Sequence, residues 1–140
     1  MTKEELIKIV GINFVVHFSS VNWGDEILIM QKDGKAFARA YWYKDDSSTI
    51  YLDFLKVDED IRKQGIGTEL QIIREDIGIL LNCIYSCLWV KKDSWMYEWY
   101  KRRGYKDYKN HERLDNTMWM RKELNVVNVV NVVNNMNIKI

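Results

Sequence analysis

The chain has 140 residues, 47% hydrophobic and 29% charged, with a formal net charge of +1. That length serves one domain with a sizeable core and is too short for two. The composition excludes a disordered chain. The charge gives no overall pull toward nucleic acid or a membrane surface, and no apolar run approaches the roughly 18 residues that span a bilayer.

Met1-Thr2-Lys3-Glu4-Glu5 carries acid early and has no signal-peptide apolar stretch, so a cytoplasmic protein is the expectation. Thr2-Lys3-Glu4-Glu5 has capping-box form and predicts a short helix over 3–10. Ile12 to Phe18 is β-branched and aromatic and reads as a strand. Ser19 to Asp25 is polar and reads as a loop. Glu26 to Gln31, Ala36 to Tyr43 and Thr49 to Val57 predict an antiparallel meander, with Asp33-Gly34 at the first turn and Lys44 to Ser48 at the second. Gly65 and Gly67 then precede Thr68 to Leu81, where Leu70, Ile73, Ile77, Leu80 and Leu81 recur at helical spacing. Ile84 to Val90 is almost wholly apolar and predicts a strand buried on both faces. Ser94 to Arg103 predicts a second helix, with Asp93 or Ser94 as N-cap and Gly104 as its stop. Tyr105 to Tyr108 and Thr117 to Arg121 are the last expected strands. Asn125 to Asn134 repeats every three residues and fits neither strand nor helix period. The expected organisation is a domain over 1–124 and a low-complexity Asn/Val tail over 125–140.

Cys83 and Cys87 are the only cysteines. On one strand they would lie about 13 Å apart, beyond disulfide reach, so both read as buried core thiols. His17 and His111 complete no metal-ligand spacing, and no metal is expected. Lys91 to Lys109 is rich in base. It reads as a solvated face or as an attractor of a phosphorylated ligand or acidic acceptor.

The chemistry concentrates at 55–68. A strand ending at Leu55 and Val57 runs into Arg62-Lys63-Gln64-Gly65-Ile66-Gly67-Thr68, and a helix follows. Helix N-termini present unpaired N–H groups and a positive dipole end, which suit an anion. An ordinary strand-to-helix turn is the other reading. The Gly-Lys-Ser/Thr ending of a nucleotide triphosphate loop is missing, which argues against an ATPase.

Arg62-x-x-Gly65-x-Gly67 resembles the R/Q-x-x-G-x-G/A loop of the GCN5-related N-acetyltransferase (GNAT) superfamily. Trp99-Tyr100-Lys101-Arg102-Arg103-Gly104-Tyr105 resembles that family's F-Y-E-K-x-G-F segment, and the element order agrees over roughly residues 12–122. The resemblance implies an α/β (α+β) fold with a mixed, mostly antiparallel sheet and flanking helices. It implies acetyl-coenzyme A as co-substrate and acetyl transfer to a primary amine by direct attack, the acceptor being a small molecule or a protein. The N–H groups of Gln64 through Thr68 would hold the pyrophosphate, and Leu55 and Val57 would pair with the pantetheine arm between splayed fourth and fifth strands. Tyr100 aligns with the tyrosine that protonates the departing thiolate. Asp53, with the parity of Leu55 and Val57, is the candidate base, ahead of His17 and His111. Trp95 and Trp99 read as packing.

Two features depart from the family pattern. Asp93 stands where the family often has Asn beside the pantetheine; it is retained as a cofactor-contact candidate, with N-capping as its alternative role. Only Ser19 to Asp25 occupies the place of two helices that shape the acceptor site. That site is therefore open, built from elsewhere, or completed by a second copy in a homodimer. A non-catalytic coenzyme A-binding module and a nucleic-acid-associated protein using the basic stretch are the rival readings.

Overall fold

Four strands rich in β-branched and aromatic residues follow one another with short turns, and each pairs antiparallel with the next. In the computed structural model, which describes residue 10 and residues 13–124, they are β1 (Phe14–Val21), β2 (Gly24–Gln31), β3 (Ala36–Tyr43) and β4 (Thr49–Val57). Helix α1 (Ile66–Leu80) then crosses over to β5 (Tyr85–Lys91). Helix α2 (Trp95–Arg102), β6 (Lys106–Asn110) and β7 (Thr117–Glu123) complete a seven-stranded sheet of order β1-β2-β3-β4-β5-β7-β6. Among the described residues only β4 and β5 pair in parallel, as a helical crossover requires. Their pairing covers Thr49↔Tyr85, Ile50↔Ser86 and Tyr51↔Cys87, and no pairing joins Leu52–Val57 to β5.

One face of the sheet carries the core. Ile27, Ile29, Ile50, Leu70, Ile77 and Met120 are almost fully buried, with Ala36, Ala38 and Ala40 on β3. Three small side chains in a row let α1 approach the sheet closely. Gly78 does the same on the helix: a Cβ there would lie 2.7 Å from Cγ2 of Ile50. The buried face of α1 is not purely apolar. Gln71 and Arg74 lie in it, while Ile73, expected in it, is only partly buried.

A β-bulge interrupts β4. Ala38 pairs with Leu55 and Ala40 with Leu52, so Asp53 and Phe54 together face Arg39. The extra residue reverses the alternation. Leu52 and Leu55 both turn to the core side. Asp53, expected on the face of Leu55 and Val57, is on the opposite face, where Arg39 donates to its carboxylate at 2.6 Å. No helix of the described residues covers that face. It is paved by rings in sequential contact: Trp23, Tyr43, Tyr51, Trp119, His111 and Trp89.

The expected loop over 19–25 is instead a tight hairpin. β1 continues to Val21, which pairs with Gly24 across Asn22-Trp23. The polar composition concealed a strand whose exposed half faces water. The helix expected over 3–10 and the 125–140 tail lie outside the described residues apart from Val10. Ser94, not Asp93, occupies the N-cap of α2. Cys83 precedes β5 rather than lying on it; it and Cys87 are buried free thiols. Burial pushes them up to about 12 and about 11, which keeps both protonated at neutral pH.

A Cβ on Gly24 would lie 1.9 Å from the backbone oxygen of Trp42, whereas nothing lies within 4 Å of one on Gly34. Gly24→Ala should therefore cost about 3 kcal/mol and Gly34→Ala, at φ +76, about 1 kcal/mol. Urea unfolding reads both, and equal costs would contradict the hairpin geometry. Asp76 gives a second prediction. Burial, then the charge of Glu75, raises its carboxyl from 3.8 to about 6. Between these values the unfolded chain releases the proton first, so this group's contribution to stability falls as pH rises from about 4 to about 6. Partial exposure limits the loss to ~1–2 kcal/mol. Asp76→Asn should be more stable than the parent by that amount at pH 7, and should converge with it near pH 4.

Candidate functional site

The segment between β4 and α1 turns twice through left-handed backbone, at Lys63 (φ 69) and Gly65 (φ 79). Gly65 is the N-cap of α1, and a side chain there would be strained although space is open around it. The first helical hydrogen bond runs from Glu69 N–H to Gly65 O at 3.0 Å. The N–H groups of Ile66, Gly67 and Thr68 come before it and have no helical acceptor. Arg62 Nε donates to Val57 O at 3.0 Å, folding the loop back onto the strand end. Gly67 faces the strand end, where a Cβ would lie 3.7 Å from Val57 Cγ2, an ordinary contact.

These elements wall a cleft of about 550 Å³. Leu55, Lys56 and Val57 line one side, and Ile61, Arg62, Lys63, Gly65, Ile66, Gly67 and Thr68 line the loop side. Trp95, Met96 and Trp99 of α2 close it. Eight of the ten expected cofactor residues thus share one cavity: Leu55, Val57, Arg62, Lys63, Gly65, Ile66, Gly67 and Thr68. Gln64 and Asp93 are exposed and do not line it. Trp95, expected as packing, is 71% exposed and forms part of the wall. Trp99 both packs on the core and lines the cleft. Arg103 was not singled out by motif. Its guanidinium lies 3.5 Å from the ring centre of Trp99 and donates to the Thr68 hydroxyl at 3.1 Å, tying α2 to the start of α1. The contact joins residues 35 apart in sequence, and no local pattern announces it.

The two expected catalytic residues stand behind this wall rather than in it. Tyr100 is 4% exposed and packs edge-on against Trp99 and Tyr105. Its hydroxyl accepts a hydrogen bond from Arg74 Nη2 at 3.1 Å. Arg74 is fully buried, and its Nη1 reaches the backbone oxygens of Arg39 at 3.2 Å, Phe54 at 3.3 Å and Asp53 at 3.5 Å. One guanidinium thus fills the hole in the ladder that the bulge leaves, and touches both Tyr100 and the backbone of Asp53. Gln71 also accepts from Arg74 and donates to Tyr105 at 2.8 Å. Tyr105 bonds Ser86 and Glu75, and Glu75 accepts from Lys122 at 2.8 Å. Burial raises the Tyr105 hydroxyl well above its ordinary range, so it stays a donor.

Neither histidine lines the cleft. His111 Nδ1 accepts from the N–H groups of Arg113 and Leu114, and its ring stacks on Trp119. His17 lies on β1, two strands away from β3. Among the described residues no three His, Cys, Asp or Glu side chains gather as metal ligands would, and no helix is long and apolar enough to cross a membrane.

No protein-family model and no curated protein matches this sequence. Solved structures do match the fold. An acetyltransferase from Bacillus cereus ATCC 14579 is 22% identical, with 89% of this chain and 80% of that chain covered and a TM-score of 0.56. A GNAT family acetyltransferase from Elizabethkingia anophelis with acetyl-CoA bound is 12% identical, with 81% and 100% covered and a TM-score of 0.59. Aminoglycoside 6'-acetyltransferase type Ii is 25% identical, with 71% and 70% covered and a TM-score of 0.58. The meander, the β4–α1–β5 crossover and the closing β6–β7 pair make this an α+β fold of one recognisable kind. It is the fold of the GNAT family acetyltransferase and of the two other acetyltransferases whose structures it matches.

Proposed function

We propose that this chain binds acetyl-coenzyme A in the cleft beside α1 and transfers the acetyl group to a primary amine by direct attack. One observation carries the reading: unpaired N–H groups at the start of α1 open into a cleft that runs along the unpaired end of β4. Such a site suits a ligand with an anionic head and a long, hydrogen-bonding arm. Ile66, Gly67 and Thr68 would donate to the pyrophosphate, with Arg62 and Lys63 supplying charge. Leu55 and Val57 would offer backbone groups to the pantetheine arm. Trp95, Met96 and Trp99 would cover it.

In the transfer the amine nitrogen forms a bond to the thioester carbon, and the carbon–sulfur bond breaks with its electron pair on sulfur. Tyr100 would give the thiolate its proton, and Asp53 would take the proton that the amine loses. Asp53 sits on the uncovered face, so the amine would approach from there while the cofactor lies on the other side. Orientation by the two faces of one strand supplies much of the rate. The aromatic face, which no helix of the described residues screens, favours a bulky or macromolecular acceptor; efficient turnover of small free amines alone would count against it.

A second reading, a coenzyme A-binding module without catalysis, is favoured by the same uncovered face and by the absence of Tyr100 from the cleft wall. Calorimetry with acetyl-coenzyme A and a thiol-release assay over small amines, aminoglycosides and peptides separate the two. Binding with amine-dependent thiol release is the expected result. Binding without release across the whole panel would favour the module.

Gly65→Asp places bulk and like charge at the N-cap. It should weaken acetyl-coenzyme A binding at least ~30-fold, about 2 kcal/mol, with the fold retained by circular dichroism. An unchanged dissociation constant would remove the α1 N-terminus from the site.

A further inference from the structure

Arg74 is a full cation at zero exposure, and among the described residues no carboxylate lies within ion-pair distance of it. Burying such a charge is costly unless its donors are satisfied. The bulge explains part of its placement, because its Nη1 group serves the backbone oxygens of Arg39, Asp53 and Phe54. The bulge does not explain Nη2, which is shared between Gln71 and the Tyr100 hydroxyl.

That last contact has a chemical consequence. A guanidinium donates and cannot accept. Tyr100 therefore receives a hydrogen bond through its oxygen and keeps its own O–H proton unspent. Among the described residues no acceptor for that proton is recorded, although the side chain is 4% exposed. The charged and polar groups around it are Arg74 directly, and Gln71, Tyr105 and Glu75 beyond, with Lys122 from β7 paired to Glu75. The guanidinium that fixes this oxygen also contacts Asp53 O and Phe54 O, the residues next to Leu55 at the inner end of the cleft wall.

Resting on the function proposed above, we propose that Arg74 is the positioning residue of the site: by bonding the Tyr100 oxygen it turns the phenolic proton toward the sulfur of bound coenzyme A. When the carbon–sulfur bond breaks, the sulfur leaves as thiolate and takes that proton. The phenolate left behind faces the Arg74 cation and regains a proton from water. The same device favours thiolate over thiol in the bound product, because a charge-assisted hydrogen bond is about twice as strong as a neutral one.

The test needs no acceptor. Dissociation constants of coenzyme A and desulfo-coenzyme A are measured by calorimetry at pH 9, where an alkyl thiol of pKa ~8.5 is largely ionised. The parent should bind coenzyme A about tenfold more tightly than the desulfo compound. Tyr100→Phe and Arg74→Met should each bring that ratio to within about twofold of one, leaving the affinity for desulfo-coenzyme A within about threefold of the parent. Arg74→Lys keeps charge but not the fork; it should lose most of the ratio too, and it serves if Arg74→Met fails to fold. A purely structural role would weaken both ligands alike. A ratio retained in the Arg74 variants, or absent in the parent, overturns the proposal while leaving coenzyme A binding intact. If neither compound binds the parent, the functional reading itself falls, and the proposal with it.

Discussion

Strands β4 and β5 run parallel for three residue pairs and then part, and the rest of the molecule is arranged around that parting. A parallel pair needs a crossover, which brings α1 across the core face and sets its N-terminus beside the unpaired end of β4. The carbonyls released by the bulge at Asp53 and Phe54 need donors inside the core, and water is excluded there. Arg74 supplies them. Its cost of burial is the reason Gln71 of α1 and Tyr100 of α2 accept from it, with Tyr105 bonded to Gln71 behind them. Opening the sheet and polarising its interior are thus one structural event.

The bulge also divides the work between two faces. Leu55 and Val57 turn toward the cleft, while Asp53 turns away to Arg39 and the aromatic face. A strand with regular alternation would have put all three side chains on one side. In this chain a carboxylate and the cleft beside α1 occupy opposite sides of the same strand end.

The short β1–β2 turn leaves the aromatic face without a covering helix among the described residues. Asn22-Trp23 spends two residues where covering helices would need many more. The exposed sheet is protected by ring-on-ring contacts instead, and Tyr51 anchors them by donating to Asp46. Trp23, Phe54 and Trp89 remain substantially exposed on it. An aromatic surface with interspersed charges such as Arg39, Asp53 and Glu112 has the chemistry of a binding face more than that of a plain solvated sheet.

Much of this was legible from residues alone. The bounds of β3 and β4, the glycine-containing turn into α1 and the second helix before Gly104 are local matters, set by β-propensity, left-handed turn positions and apolar periodicity. The Arg62–Thr68 loop and the Trp99–Gly104 segment carried the resemblance for the same reason, since both are continuous in sequence. Tertiary structure decided what local pattern does not encode. It decided that 19–21 extend β1, because polarity marks an exposed strand edge as readily as a loop. It put Asp53 on the other face, because a bulge shifts parity without leaving a mark in composition. It buried Arg74 in the apolar face of α1, because the acceptors that make this tolerable come from β3 and β4 and from Tyr100, some 20 to 35 residues away. The sequence by itself determined the glycine-containing turn and the helix start that wall the cleft; only the fold determined which side chains stand behind that wall, since those contacts exist only after the sheet has closed and parted.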